Sequence, residues 1–263
     1  MSPISIRRET LSIPDGGELI PALLQLPRSG VPMPGVLLLH GFSSRKERMA
    51  DTIGRALAQR GVAALSVDLP LHGAREEGIE GLSLRNPLAL VQKWTLAVRE
   101  ANAAIEYLRN RSDVDPTRIG IGGYSLGAYL GIIVASRNNH VDALALAAGG
   151  DLPANTPFSA IVRSIADPAR AARAFAGRPL LMVNGRYDRT IRPEQARALF
   201  EAAGEPKELV WYDGGHWPPQ VAIEQVAEWL VLRLSKSAAR QLGKLGRKLS
   251  SRAAEQPSSR AAE

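Results

Sequence analysis

The pentapeptide Gly123-Tyr124-Ser125-Leu126-Gly127 sets a serine between two glycines, after the apolar run Ile119-Gly120-Ile121 and before an Ala/Leu/Ile-rich segment. A strand that turns sharply into a helix at such a serine strains the backbone and holds the hydroxyl out at the sheet edge, with the helix N-terminus aimed at it. A serine hydroxyl is a weak nucleophile until a base takes its proton. The chain has four histidines, His40, His72, His140 and His216. His140 falls in a turn between helix and strand at the opposite edge, and His40 and His72 precede the serine. His216, in Asp213-Gly214-Gly215-His216, follows the last strand and is the expected general base. The carboxylate that fixes its tautomer must leave a strand end between Ser125 and His216. Asp188, in Asn184-Gly185-Arg186-Tyr187-Asp188, fits best; Asp151, at the preceding strand end, is the rival, and Asp213 is too near His216 in sequence to reach its ring easily. An oxyanion needs backbone donors: Leu126 N–H is one, and Phe42 N–H of His40-Gly41-Phe42 is the expected second, with His40 as a structural brace. This is machinery for acyl transfer through a covalent intermediate. It is complete with no metal or organic cofactor.

These residues need a scaffold that gathers strand ends. Short apolar runs alternate with helix-like segments, the pattern of a sheet wound with crossover helices. Strands are predicted at two segments around Asp15-Gly16-Gly17, forming an antiparallel hairpin, and then at 35–39, 62–67, 118–122, 141–148, 179–183 and 208–212. Helices are predicted at 46–60, 87–110, 126–137, 193–203 and 221–234, and Asp115-Pro116 reads as a turn. The expected fold class is α/β: a mostly parallel eight-stranded sheet flanked by helices on both faces. Each parallel strand ends in a Gly-rich or polar loop, and ligands bind along that carboxyl edge. Two long connections, 71–86 and 151–177, would rise over it. The first carries Arg75, Glu76, Glu77, Glu80 and Arg85, too charged to face lipid. The second, with Pro153, Phe158, Ile161, Val162, Ile165 and Phe175, is expected to wall a modest acyl pocket.

The net charge of +7 is unevenly spread: seven basic and two acidic residues in 235–263 account for +5 of it. A catalytic domain over 1–234 and a basic, partly disordered tail over 235–263 are therefore expected. Leu234, Leu242, Leu245 and Leu249 alternate there with Lys and Arg, so a weak contact with an anionic membrane surface or nucleic acid is the alternative to a solvated tail. Gly243 and Gly246 weaken such a helix, and no nucleic-acid partner is expected. The chain has no cysteine, which excludes disulfides, thiolate metal sites and a cysteine nucleophile. The first residues lack a signal-peptide pattern and no apolar run approaches the ~20 residues of a membrane span, so a cytoplasmic protein is expected.

With His40-Gly41-Phe42, Asp68-Leu69-Pro70-Leu71-His72-Gly73, the serine pentapeptide, Asn184 to Asp188 and Gly215-His216, the chain resembles the α/β-hydrolase superfamily from about Ile4 to Leu234. Within it the chain is similar to dienelactone hydrolase-like and prolyl-oligopeptidase-like serine esterases. Dienelactone hydrolases proper carry a cysteine nucleophile, which this chain lacks, and 263 residues do not accommodate the propeller of prolyl oligopeptidases. The resemblance implies a small carboxylesterase acting on a small-molecule ester with a short acyl chain. A thioesterase, an acylaminopeptidase-like hydrolase, or a binding module on a hydrolase scaffold are the alternatives.

Overall fold

The computed structural model describes residues 5–75, 87–153 and 159–235. The chain opens with β1 (Ile6–Asp15) and β2 (Glu18–Pro27), paired antiparallel with Asp15 opposite Glu18. Gly16 and Gly17 both take positive φ, 57° and 95°, as a two-residue hairpin turn requires. Next come β3 (Met33–Leu39), then α1 (Lys46–Met49), which runs through a π-helical turn (Ala50–Gly54) into α2 (Arg55–Ala58), and β4 (Ala63–Val67). After α3 (Pro87–Arg109), β5 (Val114–Tyr124) leads into α4 (Leu126–Arg137) and β6 (Val141–Ala147). Two short helices, α5 (Ser159–Ile165) and α6 (Pro168–Ala174), precede β7 (Leu180–Gly185), α7 (Pro193–Ala202) and β8 (Lys207–Tyr212). A last helix, α8, spans 220–235.

The eight strands form one sheet in the order β1-β2-β4-β3-β5-β6-β7-β8. The strands from β3 onward are parallel, and β2 joins β4 antiparallel. The apolar runs are continuous because both faces are covered. Leu37 and Leu39 point to the layer that holds α3, α4, α6 and α7. Val36 and Leu38 point to the opposite layer, built from the α1–α2 segment and α8. Each such fully buried leucine contributes about 1.5–3 kcal/mol.

Two sequence expectations change. Asp115-Pro116 does not precede β5 but lies inside it: Val114 pairs with Met33, Ile119 pairs with Gly35, and the residues between bulge out. The Asp115 carboxylate accepts from Thr117 N–H and Arg118 within the bulge, so the turn chemistry is spent inside a strand. The 151–177 connection is partly helical, with α6 packed on α4. The expected tail falls outside the described residues beyond 235. Among the described residues no helix is long and apolar enough to cross a membrane.

The chain leaves β3 toward one face of the sheet and leaves β5, its neighbour, toward the other. A crevice opens where adjacent connections diverge. Two glycines set how tightly it is built. A Cβ on Gly127 would lie 2.1 Å from the Leu39 carbonyl oxygen, and one on Gly123 would lie 2.3 Å from the Gly127 carbonyl oxygen. Both obstacles are backbone. Gly127→Ala is expected to cost about 3 kcal/mol, a fall of roughly 6–12 °C in Tm; an unchanged melting curve by circular dichroism would contradict this packing.

Candidate active site

Ser125 stands between β5 and α4 with φ 52° and ψ −111°, outside the comfortable regions for an L-residue. Its N–H continues the sheet by donating to the Ala147 carbonyl at 2.9 Å. Its side chain occupies the N-cap position but makes no capping bond. Instead the hydroxyl lies 3.0 Å from His216 Nε2, and His216 Nδ1 lies 2.8 Å from Asp188 Oδ2. With Nδ1–H donating to the carboxylate, Nε2 is left to accept the serine proton. The other Asp188 oxygen accepts from Thr190 N–H and Ile191 N–H at 2.8 and 3.0 Å, so the carboxylate is fixed at both ends, and its side chain is fully buried.

The structure thus brings Ser125, His216 and Asp188 into one hydrogen-bonded row. Asp151 is elsewhere, its two oxygens each 3.2 Å from the Arg163 guanidinium. Asp213 is exposed and paired with Arg186. His140 lies on the surface. Leu126 is the first residue of α4, where an N–H has no intrahelical partner. The His40–Phe42 loop touches Ser125 directly: a Cβ on Gly41 would sit 3.2 Å from Ser125 Cβ and 2.8 Å from the Tyr124 ring. Phe42 follows at the rim with its ring half exposed.

His40 is wholly buried. Its Nδ1–H donates to the Gly41 carbonyl at 2.8 Å and its Nε2 accepts from Leu69 N–H at 3.1 Å, which ties the loop after β3 to the loop after β4. Burial holds this imidazole neutral, its pKa down to about 4. A second tie is ionic. The buried Asp68 carboxylate accepts from Lys46 N–H, Lys46 Nζ and Ala74 N–H at 2.7–2.9 Å. Burial alone would lower the Lys46 pKa, but hydrogen bonds to Asp68 and Glu47 hold it above the ordinary lysine value. Gly73, at φ 61°, leaves no room for a Cβ, which would fall 2.1 Å from the Asp68 carboxyl.

Sequence reasoning did not single out the aromatic support of His216. Tyr124 stacks on Trp217 with centroids 5.0 Å apart, and Arg48 lies over the Trp217 ring. Tyr124 O–H and Tyr212 O–H both donate to the His216 carbonyl at 3.3 Å, and Tyr212 also to the Gly215 carbonyl at 2.9 Å. Burial raises both phenol pKa values, that of Tyr212 to about 12. The sequence signs were Trp217, which follows His216 and could stack on its ring as an ordinary loop pair, and Tyr124, which precedes the serine.

Of the residues expected from the 151–177 connection to wall an acyl pocket, one is placed elsewhere. Phe175 is in the core, 1% exposed, with Arg178 against its ring, because α6 turns its apolar face down onto α4. The side chains of Phe158 and Ile161 lie outside the described residues. An apolar cavity of about 140 Å³ instead opens beside Phe42 and Leu126, walled by the loop after β4 and by α3 and α4. Another, of about 70 Å³, lies under Tyr124 and Trp217 on the other face of the sheet.

A model of the dienelactone hydrolase family matches residues 20–216. The chain belongs to that family. It is 28% identical over 225 residues to the polyketide transferase ATR5 of Stachybotrys chlorohalonatus, covering 80% of this chain and 72% of that protein. It is 28% identical over 213 residues to an uncharacterized protein of Mycobacterium tuberculosis, covering 70% of this chain and 50% of that one. Among solved structures, a cold-adapted esterase from an Arctic intertidal metagenomic library superposes with a TM-score of 0.69 at 21% identity, over 87% of this chain and 94% of that one. At that identity the likeness concerns the fold. In this family member a serine stands on the turn from β5 into α4.

The buried neutral His40 has a consequence for stability. Above about pH 6.5 neither the folded nor the unfolded ring binds a proton; below it the unfolded ring does while the buried one stays neutral down to about pH 4. His40 therefore lowers stability as pH falls through that window, by up to about 1.4 kcal/mol per pH unit. Urea unfolding at stepped pH is expected to show a shallower acid decline for His40→Gln than for the parent. Equal slopes would contradict the assignment.

Proposed function

We propose that this protein is a serine esterase that hydrolyses short-chain carboxylic esters through an acyl-enzyme. The observation that carries it is the row Ser125 Oγ, His216 Nε2, Asp188 Oδ2 at 3.0 and 2.8 Å, with the serine on a strained elbow. Ser125 Oγ attacks the ester carbonyl carbon while His216 Nε2 takes the hydroxyl proton. The carbonyl oxygen, now an oxyanion, turns toward Leu126 N–H and Phe42 N–H at the positive end of α4. Collapse expels the alkoxide, which receives the proton from His216. Water then attacks the acyl-enzyme with His216 again as base, releasing the acid and restoring the serine. Asp188 stays ionised throughout, holding the tautomer and stabilising the imidazolium.

The small cavity beside Phe42 and Leu126 supports a short acyl chain. Each methylene buried there is worth ~0.8 kcal/mol, and the gain stops when the cavity is full. On p-nitrophenyl esters, kcat/KM is expected to peak between acetate and hexanoate; a maximum at palmitate would instead favour a lipase.

Ser125→Ala is expected to remove ester hydrolysis and labelling by a fluorophosphonate probe. Asp188→Asn is expected to lower kcat by up to ~10⁴, because its amide N–H would donate to Nδ1 and move the imidazole proton to Nε2. Retained activity in Asp188→Asn, with loss in Asp151→Asn, would reassign the acid.

A further inference from the structure

The cavity of about 70 Å³ under Tyr124 and Trp217 is lined by neither Ser125 nor His216. Its floor is the sheet itself, where Gly122 pairs with Ala145 and Tyr124 with Ala147. Three of those four positions carry at most a methyl group, so the sheet surface there is bare. The α1–α2 segment closes one side with Met49 and its π-helical turn, and α8 closes the other with Ala222 and Val226. Such π-helical turns are rare and recur at functional sites. The Thr52 hydroxyl, which reaches the wall, is spent on the Arg48 carbonyl at 2.7 Å. The wall therefore offers hydrocarbon, and a water needs two or more polar partners to be held.

The mouth is different in chemistry. Of the lining residues, Arg48 and Trp217 are exposed and the others are buried or half-buried. The Arg48 guanidinium lies 5.1 Å from the centroid of the Trp217 ring. The acids nearest to it in sequence are taken by other cations: Glu47 pairs with Lys46 and Arg45, and Asp51 with Arg8 and Arg55. Among the described residues no carboxylate or carbonyl accepts from the Arg48 side chain. Its five N–H donors form a planar fork that matches the two oxygens of a carboxylate. An ammonium is repelled there, and an alcohol forms no charge-assisted pair.

We propose that this cavity is a binding site for a short aliphatic carboxylate, with the hydrocarbon chain between the sheet and α8 and the carboxylate on Arg48 at the mouth. The chain lies against Tyr124 and Trp217, the two rings beside His216, whose centroids are 5.3 and 6.3 Å from the imidazole. A carboxylate of this class is also what ester hydrolysis releases. That link rests on the esterase reading of Ser125; the site itself does not.

The chain's four tryptophans allow one titration to locate the ligand. Trp217 lines this cavity and Trp94 lines the one beside Phe42. Their indole nitrogen–proton resonances, assigned with Trp217→Phe and Trp94→Phe, report the two places separately in the full chain. Hexanoate is expected to move the Trp217 resonance saturably, and affinity is expected to rise about fourfold per methylene from propionate until the cavity is full. Hexan-1-ol is expected to bind about tenfold or more weakly than hexanoate, and Arg48→Gln is expected to abolish that preference. The preference is a ratio within one preparation, so a partly unfolded variant still reports it, and the chain-length series needs no variant. Equal affinities for propionate and hexanoate, or for hexanoate and hexan-1-ol, would overturn the site. So would a preference that survives Arg48→Gln, or hexanoate that moves the Trp94 resonance alone. That last result would put the carboxylate in the acyl cavity and leave the esterase reading intact. A Ser125 that no fluorophosphonate labels would overturn the esterase reading and leave this site standing.

Discussion

Ser125 keeps φ at 52° only because its neighbours leave it nowhere else to go. A left-handed serine costs about 1–3 kcal/mol, and the surrounding structure has to supply that. The Ser125 N–H is held by the Ala147 carbonyl on β6. The first turn of α4 is pressed against the end of β3 at Gly127, and Gly123 packs on the same turn. One strained residue therefore joins three parallel strands and a helix at a single point. The hydroxyl points out of the sheet edge because every other direction is occupied.

The loops facing that point are tied to each other more firmly than to the sheet. The chain departs from β3 and from β5 to opposite faces, which leaves a crevice that a loop has to line. His40 and Asp68 close the arrangement, one by a neutral imidazole between two backbone groups, the other by a carboxylate shared between Lys46 and the turn at Ala74. Both are buried, so water does not compete for their partners. Burying these polar groups keeps the Phe42 backbone at a fixed place beside the serine.

The histidine side of the site depends on different physics. The 213–217 loop is half exposed and has few apolar contacts of its own. Tyr124 and Tyr212 hold it from below, by three phenolic hydrogen bonds to its backbone and by the stacking of Tyr124 on the loop's own Trp217. Tyr124 is also the residue before the serine, so one residue is tied both to Ser125 and to the loop that carries His216. Ser125 and His216, 91 residues apart in a chain of the dienelactone hydrolase family, meet at 3.0 Å because β5 and the loop after β8 end along the same edge of the sheet.

The sequence alone determined what local pattern can encode. Doubly buried strands appear as continuous apolar runs because both faces of a parallel strand need hydrocarbon, and Gly16-Gly17 specifies a hairpin because two consecutive positive φ angles suit glycine. The glycines around Ser125 marked the elbow, and the chain order of serine, acid and histidine narrowed the partners to a few strand ends. Tertiary structure decided the rest. Asp151 and Asp188 both follow parallel strands and look alike in sequence; Arg163, brought over by α5, occupies the first, and the second meets His216. Phe175 looked like a pocket wall because its hydrophobicity was visible, but the face it turns inward depends on how α6 lies on α4. Asp115-Pro116 has turn chemistry that a β-bulge can use as well as a loop. The cavity beside Phe42 and Leu126 brings together residues from the loop after β3, the loop after β4, α3 and α4. No periodicity records such a meeting, because it is set by how helices cross a sheet rather than by the order of residues along the chain.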